Sequence, residues 1–149
     1  MRLDRAWIEK QIPHHGRMCL LDEVIEWDFQ SIRCRGTTHR TGDHPLRSHG
    51  RLGVACGIEY AAQTMAVHGA LAVSESGVRP EAGFLASVRG VRLHVLRLDD
   101  IEADLICHAT RVAADGSTAL YDFALWSDAH RLLSGRATVV LDAGKRLNI

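Results

Sequence analysis

The chain has 149 residues, 46% of them apolar and 24% charged, which is enough for one domain with a sizeable core and too apolar for a disordered segment. Its 18 acidic residues balance 18 basic ones, so long-range attraction to nucleic acid or to an anionic membrane is disfavoured. Four scattered cysteines, Cys19, Cys34, Cys56 and Cys107, form no CxxC pair, which leaves a zinc ribbon or a thioredoxin-type redox site without support.

Asp4 ahead of AWIEKQI predicts a short helix with Asp4 as its N-cap and Pro13 beyond its end. The opening MRLDRAWIEKQIP carries charges throughout and lacks the apolar run of a signal peptide, so a reduced, cytoplasmic protein is expected. Pro13 and Gly16 mark a loop that holds His14 and His15. Residues 20–27 and 31–39 read as two strands turned by Asp28-Phe29-Gln30, and a loop over residues 40–51 carries His44 and His49. Residues 52–73, LGVACGIEYAAQTMAVHGALAV, read as one long helix of about 33 Å. That length would span a membrane, but Glu59, Gln63 and His68 inside it argue against a membrane location.

A loop over 74–80 follows, then a strand over 83–98 kinked near Gly90. Residues 102–113 and 118–126 form a hairpin through Ala114-Asp115-Gly116-Ser117, and 132–141 is the last strand before a polar tail, GKRLNI. Helix, two strands, long helix and about four strands make an α+β chain with a largely antiparallel sheet. A single long apolar helix beside five or six strands suggests a sheet curled around it. The small residues Ala61, Ala62, Ala66, Gly69, Ala70 and Ala72 let strands approach the helix axis. This is the arrangement of the hotdog fold, which usually pairs two sheets edge to edge in a dimer and so protects an exposed edge strand.

Glu59 is the residue that an apolar helix does not explain, because a buried carboxylate needs a partner. Gln63 lies one turn on and within reach of it. His44, in TGDHPLRSHGR before the helix, is a candidate base for a carbon-bound acidic proton, while a carboxyl such as Glu59 protonates a leaving hydroxyl. Free N–H groups at the expected helix start, around Gly53 and Val54, suit a thioester carbonyl that gains negative charge. His14 and His15 form the other histidine cluster and lack the carboxylate or cysteine spacing of a metal site. Arg89, Arg92 and Arg97 read as a solvated strand face that also suits an acidic carrier protein. No GxSxG elbow and no phosphate-binding glycine pattern is present.

IPHHGRMCLLDEV, DHPLRSHGRLGVACGIEY and GIEYAAQTMA together resemble the 3-hydroxyacyl-acyl-carrier-protein dehydratases of the hotdog superfamily, over nearly the full length. Within that superfamily the HPLR, GIEYAAQ and HGAL stretches are most similar to the divergent dehydratases of aryl-polyene-type biosynthetic clusters. The resemblance implies an acyl-carrier-protein thioester as substrate, no metal or organic cofactor, and a homodimer or a heterodimer with a related subunit. It implies His44 as base, Glu59 from the partner subunit as acid, and supporting roles for Gln63, His14, His15 and His49. The chain departs from the family pattern in three places: His44-Pro45-Leu46-Arg47 replaces His-Phe-Pro-Gly, the stretch from His44 to Glu59 is one residue longer, and Val54 stands where glycine is expected. His14 or His15 is therefore a second choice for the base. Two other functions fit the same residues: a hotdog thioesterase, in which the helical carboxylate activates water, and a non-catalytic or half-active subunit of a heterodimeric dehydratase.

Overall fold

Asp4 caps the first helix, α1 (Arg5–Gln11), as its sequence predicts. In the computed structural model of the chain, which describes residues 3–74 and 84–140, the Asp4 carboxylate accepts from the Trp7 N–H at 3.1 Å. The chain then forms β1 (Glu23–Trp27), β2 (Ser31–Gly36), α2 (Gly57–Ser74), β3 (Phe84–Leu93), β4 (Leu105–Ala114), β5 (Thr118–Ser127) and β6 (His130–Val140). The expected loop over 74–80, the start of the strand over 83–98 and the polar tail fall wholly or partly outside the described residues.

All six strands lie in one antiparallel sheet of order β1-β2-β4-β5-β6-β3. Along β5, buried Ala119, Tyr121, Phe123 and Leu125 alternate with less buried neighbours, the period-2 pattern of a sheet with one face on a core. The helix α2 lies across that face against β2, β4 and β5, burying Tyr60, Ala61, Thr64, Met65, Val67, His68 and Leu71. This is the hotdog arrangement anticipated from the element order. Among the described residues no helix is long and apolar enough to cross a membrane.

Several boundaries differ from the sequence expectation: β3 ends at Leu93 rather than 98, β4 begins at Leu105 rather than 102, and three further differences bear on the site. Residues 20–22 lie outside β1 because side chains take their backbone groups: the Leu20 N–H donates to Gln63 and the Leu20 carbonyl accepts from Thr38. The second strand stops at Gly36, and Thr38–Arg40 forms a 3₁₀ turn. The third correction concerns the helix, which begins at Gly57 and not at residue 52. Residues 52–54 instead pair with the segment that leaves β3. Leu98 N–H donates to the Leu52 carbonyl at 2.8 Å, Val54 N–H donates to the Leu96 carbonyl at 3.2 Å, and Leu52 N–H donates to Asp99 at 2.9 Å. A single 3₁₀ turn, Val54–Cys56, then feeds the α-helix.

Gly57 permits the close approach of the helix start to the sheet. A Cβ there would lie inside contact distance of Leu133 Cδ2 and 2.8 Å from Leu125 Cδ2. Both leucines are fully buried, so they have little room to move. We expect Gly57→Val to lower stability by about 1–3 kcal/mol through overpacking, read as a drop in the urea midpoint with unchanged slope. A parent-like midpoint would show that the leucines repack freely.

Candidate active site

Because α2 starts at Gly57, Glu59 sits in its first turn rather than two turns inside it. There the orphan N–H groups and the helix dipole favour a negative charge. Its side chain is 35% exposed, so it is neither buried in the core nor free in solvent. Two side chains hold it. His14 Nε2 lies 3.1 Å from Glu59 Oε1, and Gln63 Nε2 donates to the same oxygen at 3.3 Å.

Gln63 also explains why His14 is there. It is completely buried, and its amide spans two backbone groups of the segment before β1, donating to the Met18 carbonyl at 2.8 Å and accepting from the Leu20 N–H at 2.9 Å. From the other side Arg5 of α1 donates to the Gly16 carbonyl at 3.1 Å and to the carbonyl of Cys19. These bonds fix residues 16–20 against both helices, and the short Pro13–Gly16 loop sets His14 over the start of α2. The Nδ1 atom of His14 is buried without a hydrogen-bond partner among the described residues. Its functional reach therefore lies through Nε2 and Glu59.

His44 occupies a different environment. It is 5% exposed, and both ring nitrogens are engaged. Nδ1 accepts from the Leu46 N–H at 3.0 Å, which puts the proton of the neutral ring on Nε2, 3.0 Å from the Tyr60 hydroxyl. Tyr60 in turn lies 2.7 Å from Thr38 Oγ1, and Thr38 donates to the Leu20 carbonyl at 2.8 Å. The donors thus run His44, Tyr60, Thr38, and the chain ends on the Leu20 carbonyl as acceptor. Burial lowers the His44 pKa, and the Arg47 guanidinium and the nearby His39 lower it further, so the ring is held neutral. Burial also pushes the Tyr60 hydroxyl well above its ordinary value. Within the chain His44 makes no contact with Glu59 among the described residues. It ties the loop over residues 40–51 to the helix and offers no free lone pair to a substrate.

His15 and His49 are exposed, and neither side chain has a hydrogen-bond or ion-pair partner among the described residues. His49 occupies a left-handed backbone position, φ 54°, in the turn before Arg51. Of the two anticipated oxyanion donors, the Val54 N–H is already given to Leu96. Gly53 is the non-hydrogen-bonded partner of Arg97 in an isolated antiparallel bridge, so its N–H points away from that segment; it has no acceptor among the described residues and is the donor that remains. Asp99 positions it by accepting from both the Leu52 N–H and Arg97, and the Arg97 guanidinium holds the Asp99 carboxyl far below the usual carboxylate range. Among the described residues no group of three or more His, Cys, Asp or Glu side chains is arranged to hold a metal ion.

From sequence alone Gln63 has a supporting role and His14 is a supporting residue or a second choice for the base, while nothing in the sequence singles out Tyr60, Thr38 or Asp99. A signal for His14 and Gln63 was present: a Pro-His-His-Gly loop before an apolar strand, and a glutamine one helical turn after the glutamate.

The family model described as "ApeP-like: ApeP dehydratase" matches residues 6–146. No curated protein matches the chain. Among solved structures, the dehydratase heterocomplex ApeI:P from Xenorhabdus doucetiae aligns with a TM-score of 0.83 and 22% identity, over 94% of this chain and 93% of that one. A putative thioesterase from Silicibacter sp. TM1040 aligns with a TM-score of 0.65 and 13% identity, over 93% of this chain and 92% of that one. A mutant thioesterase from Pseudomonas aeruginosa aligns with a TM-score of 0.59 and 14% identity, over 80% of this chain and 79% of that one. At these identities the likenesses carry the fold.

Proposed function

This chain belongs to the ApeP-like dehydratase family and is an enzyme of the dehydratase type, and from that we propose that it converts a 3-hydroxyacyl thioester on an acyl carrier protein to the trans-2-enoyl thioester, with His14 and Glu59 as its acid–base pair. The observation that carries this reading is the contact of 3.1 Å between His14 Nε2 and a Glu59 carboxyl that is only partly exposed.

Dehydration needs one group to take a proton from C2 and another to give a proton to the C3 hydroxyl. The reaction requires that the pair hold one exchangeable proton, carried by Glu59 as substrate binds. With substrate bound, neutral His14 Nε2 takes the C2 proton, and the electron pair of that bond forms the C2=C3 double bond. The C3–O bond breaks as the Glu59 carboxyl delivers its proton, and water leaves. His14 has then gained one proton and Glu59 has lost one. The direct contact between them returns that proton without bulk solvent, so the pair resets itself. Gln63 keeps Glu59 aimed during this exchange. The Gly53 N–H is the donor in reserve for the thioester oxygen, where charge develops as C2 is deprotonated.

A partner subunit also belongs to this reading. The outer edge of β3 is unpaired among the described residues, and beside it Leu93 is half-exposed and Leu96 is 91% exposed. An open sheet edge flanked by exposed leucines favours docking of a second hotdog subunit. The similar dehydratase structure is a heterocomplex, which supports a related chain as that subunit.

Product analysis separates dehydration from thioester hydrolysis. Incubated with a panel of 3-hydroxyacyl carrier-protein substrates, the protein, alone or with its related subunit, is expected to give acyl chains lighter by one water and still attached to the carrier. Free acid with released thiol would assign it to thioester hydrolysis instead.

A further inference from the structure

The sheet face turned away from α2 carries a groove of about 460 Å³ that plays no part in the His14–Glu59 chemistry. Strand register builds it in two rows. Thr110, Asp122, Arg136 and Arg89 stand side by side across β4, β5, β6 and β3, and His108, Ala124, Ser134 and Arg92 form the next row. Adjacent strands are about 5 Å apart, so the outward side chains of each row meet.

The two arginines of β3 reach this face together only because the strand is bulged. Residues three apart in a regular strand point to opposite faces. Between Arg89 and Arg92 the register with β6 shifts, and Gly90 takes φ +63°. The extra residue brings Arg92 back to the side that Arg89 faces, a typical use of a bulge to re-aim a side chain.

The charge on this face is unbalanced. Asp122 holds Arg136 at 2.8 Å, which accounts for one guanidinium and the one carboxylate of the groove. Arg89, Arg92 and Arg131 have no carboxylate within ion-pair distance among the described residues. Arg131, which also lines the groove, is instead held over the Trp126 ring, 4.9 Å from its centroid. Arg89 stands directly opposite Arg136, whose charge Asp122 already balances, so the unbalanced charge of that row is the Arg89 guanidinium. In a chain of zero formal net charge, this clustering is local.

We propose that this groove binds a small phosphate-bearing ligand of about nucleotide size. Guanidinium forks match phosphate oxygens in pairs. The Ser134 and Thr110 hydroxyls and the His108 ring add donors beside them. The volume lies within the range of small-ligand sites and well above that of a single phosphate.

Calorimetric titration of the full-length protein at low salt, with inorganic pyrophosphate and with adenosine 3′,5′-bisphosphate, tests the proposal. Saturable binding is expected, weakened about tenfold or more in the Arg89→Ser/Arg92→Ser double variant. Arg51→Ser, at an exposed arginine outside the groove, should bind like the parent. Both β3 arginines are exposed, so the double variant should keep the parent's circular dichroism and melting temperature. Tighter binding of the nucleotide than of pyrophosphate means that the groove holds the whole nucleotide, and equal affinities mean that it reads the phosphoryl groups alone. The proposal falls if neither compound binds, if the double variant binds as tightly as the parent, or if a poly-glutamate peptide binds more tightly than both, which would make the face a docking surface for an acidic protein.

Discussion

Glu59→Gln should lower dehydration turnover by about 10²–10⁴-fold while leaving the melting temperature close to the parent value, and His14→Ala should do the same. Glutamine at position 59 keeps the shape of the side chain and can still meet Gln63 and His14, but it has no proton to give to a leaving hydroxyl. Alanine at position 14 removes the acceptor for the C2 proton and the return path for that proton. Both side chains are partly exposed, so neither change opens a cavity in the core.

His44→Ala should behave in the opposite way. It leaves the Tyr60 hydroxyl without its donor and the Leu46 N–H without its acceptor in a buried setting, at a cost of about 1–3 kcal/mol in stability. The variant that remains folded should keep most of its turnover. The three variants, compared by steady-state turnover and thermal melting, decide between the two histidines. If folded His44→Ala loses turnover as Glu59→Gln does while His14→Ala retains it, the acid–base assignment to His14 is wrong.

The second large effect is loss of stability in mild acid. His39, His44 and His68 are all buried, and burial lowers the pKa of each from 6.5. The charges of Arg40 at His39, Arg47 at His44 and Arg111 at His68 lower them further, while hydrogen bonds from His39 to the Ile101 carbonyl and from His68 to the Asp28 carbonyl partly oppose the shift. Because each folded pKa is depressed, the unfolded chain binds these protons first as pH falls. The stabilisation is complete above about pH 6.5 and is lost progressively below it, toward the folded values. Each histidine contributes a slope of at most about 1.4 kcal/mol per pH unit, so three together reach at most about 4 kcal/mol per unit. The carboxylates act in a lower window: Asp104 and Asp115 have pKa values below the ordinary 3.8, Asp115 at about 2, and they weaken the fold only as pH falls below about 4. Thermal melts from pH 8 to pH 5 should show a steep fall that begins near pH 6.5. A flat profile across that range would mean that the three rings take up protons as readily folded as unfolded.

His68 illustrates the consequence for the fold. Its Nε2–H donates to the Asp28 carbonyl at 2.8 Å and its Nδ1 accepts from the Tyr121 hydroxyl at 2.7 Å, so one neutral ring joins α2 to the turn between β1 and β2 and to β5. Protonation of Nδ1 would remove the acceptor that Tyr121 needs, and the helix would lose a tie to two strands at once.

Local pattern determined much of this protein. The Asp4 cap depends on a single side chain three residues from its donor, and Asp115 closes the β4–β5 turn by accepting from Ser117 N–H at 2.7 Å and Thr118 N–H at 2.8 Å. The alternation along β5 and the run of small apolar residues in α2 likewise need no distant partner to be recognised, and together they imply one helix on one antiparallel sheet. Tertiary structure alone decided where α2 begins, because residues 52–54 are claimed by residues 96–98, more than 40 positions away. It also decided which histidine meets Glu59. His44 is nearer in sequence, but its ring is taken by Leu46 and Tyr60, whereas His14 arrives through a segment that Gln63 clamps from 43 and 45 residues away. Hydrophobic period and capping are properties of a short window of chain; the partner of a half-exposed carboxylate depends on which backbone groups distant segments have already satisfied.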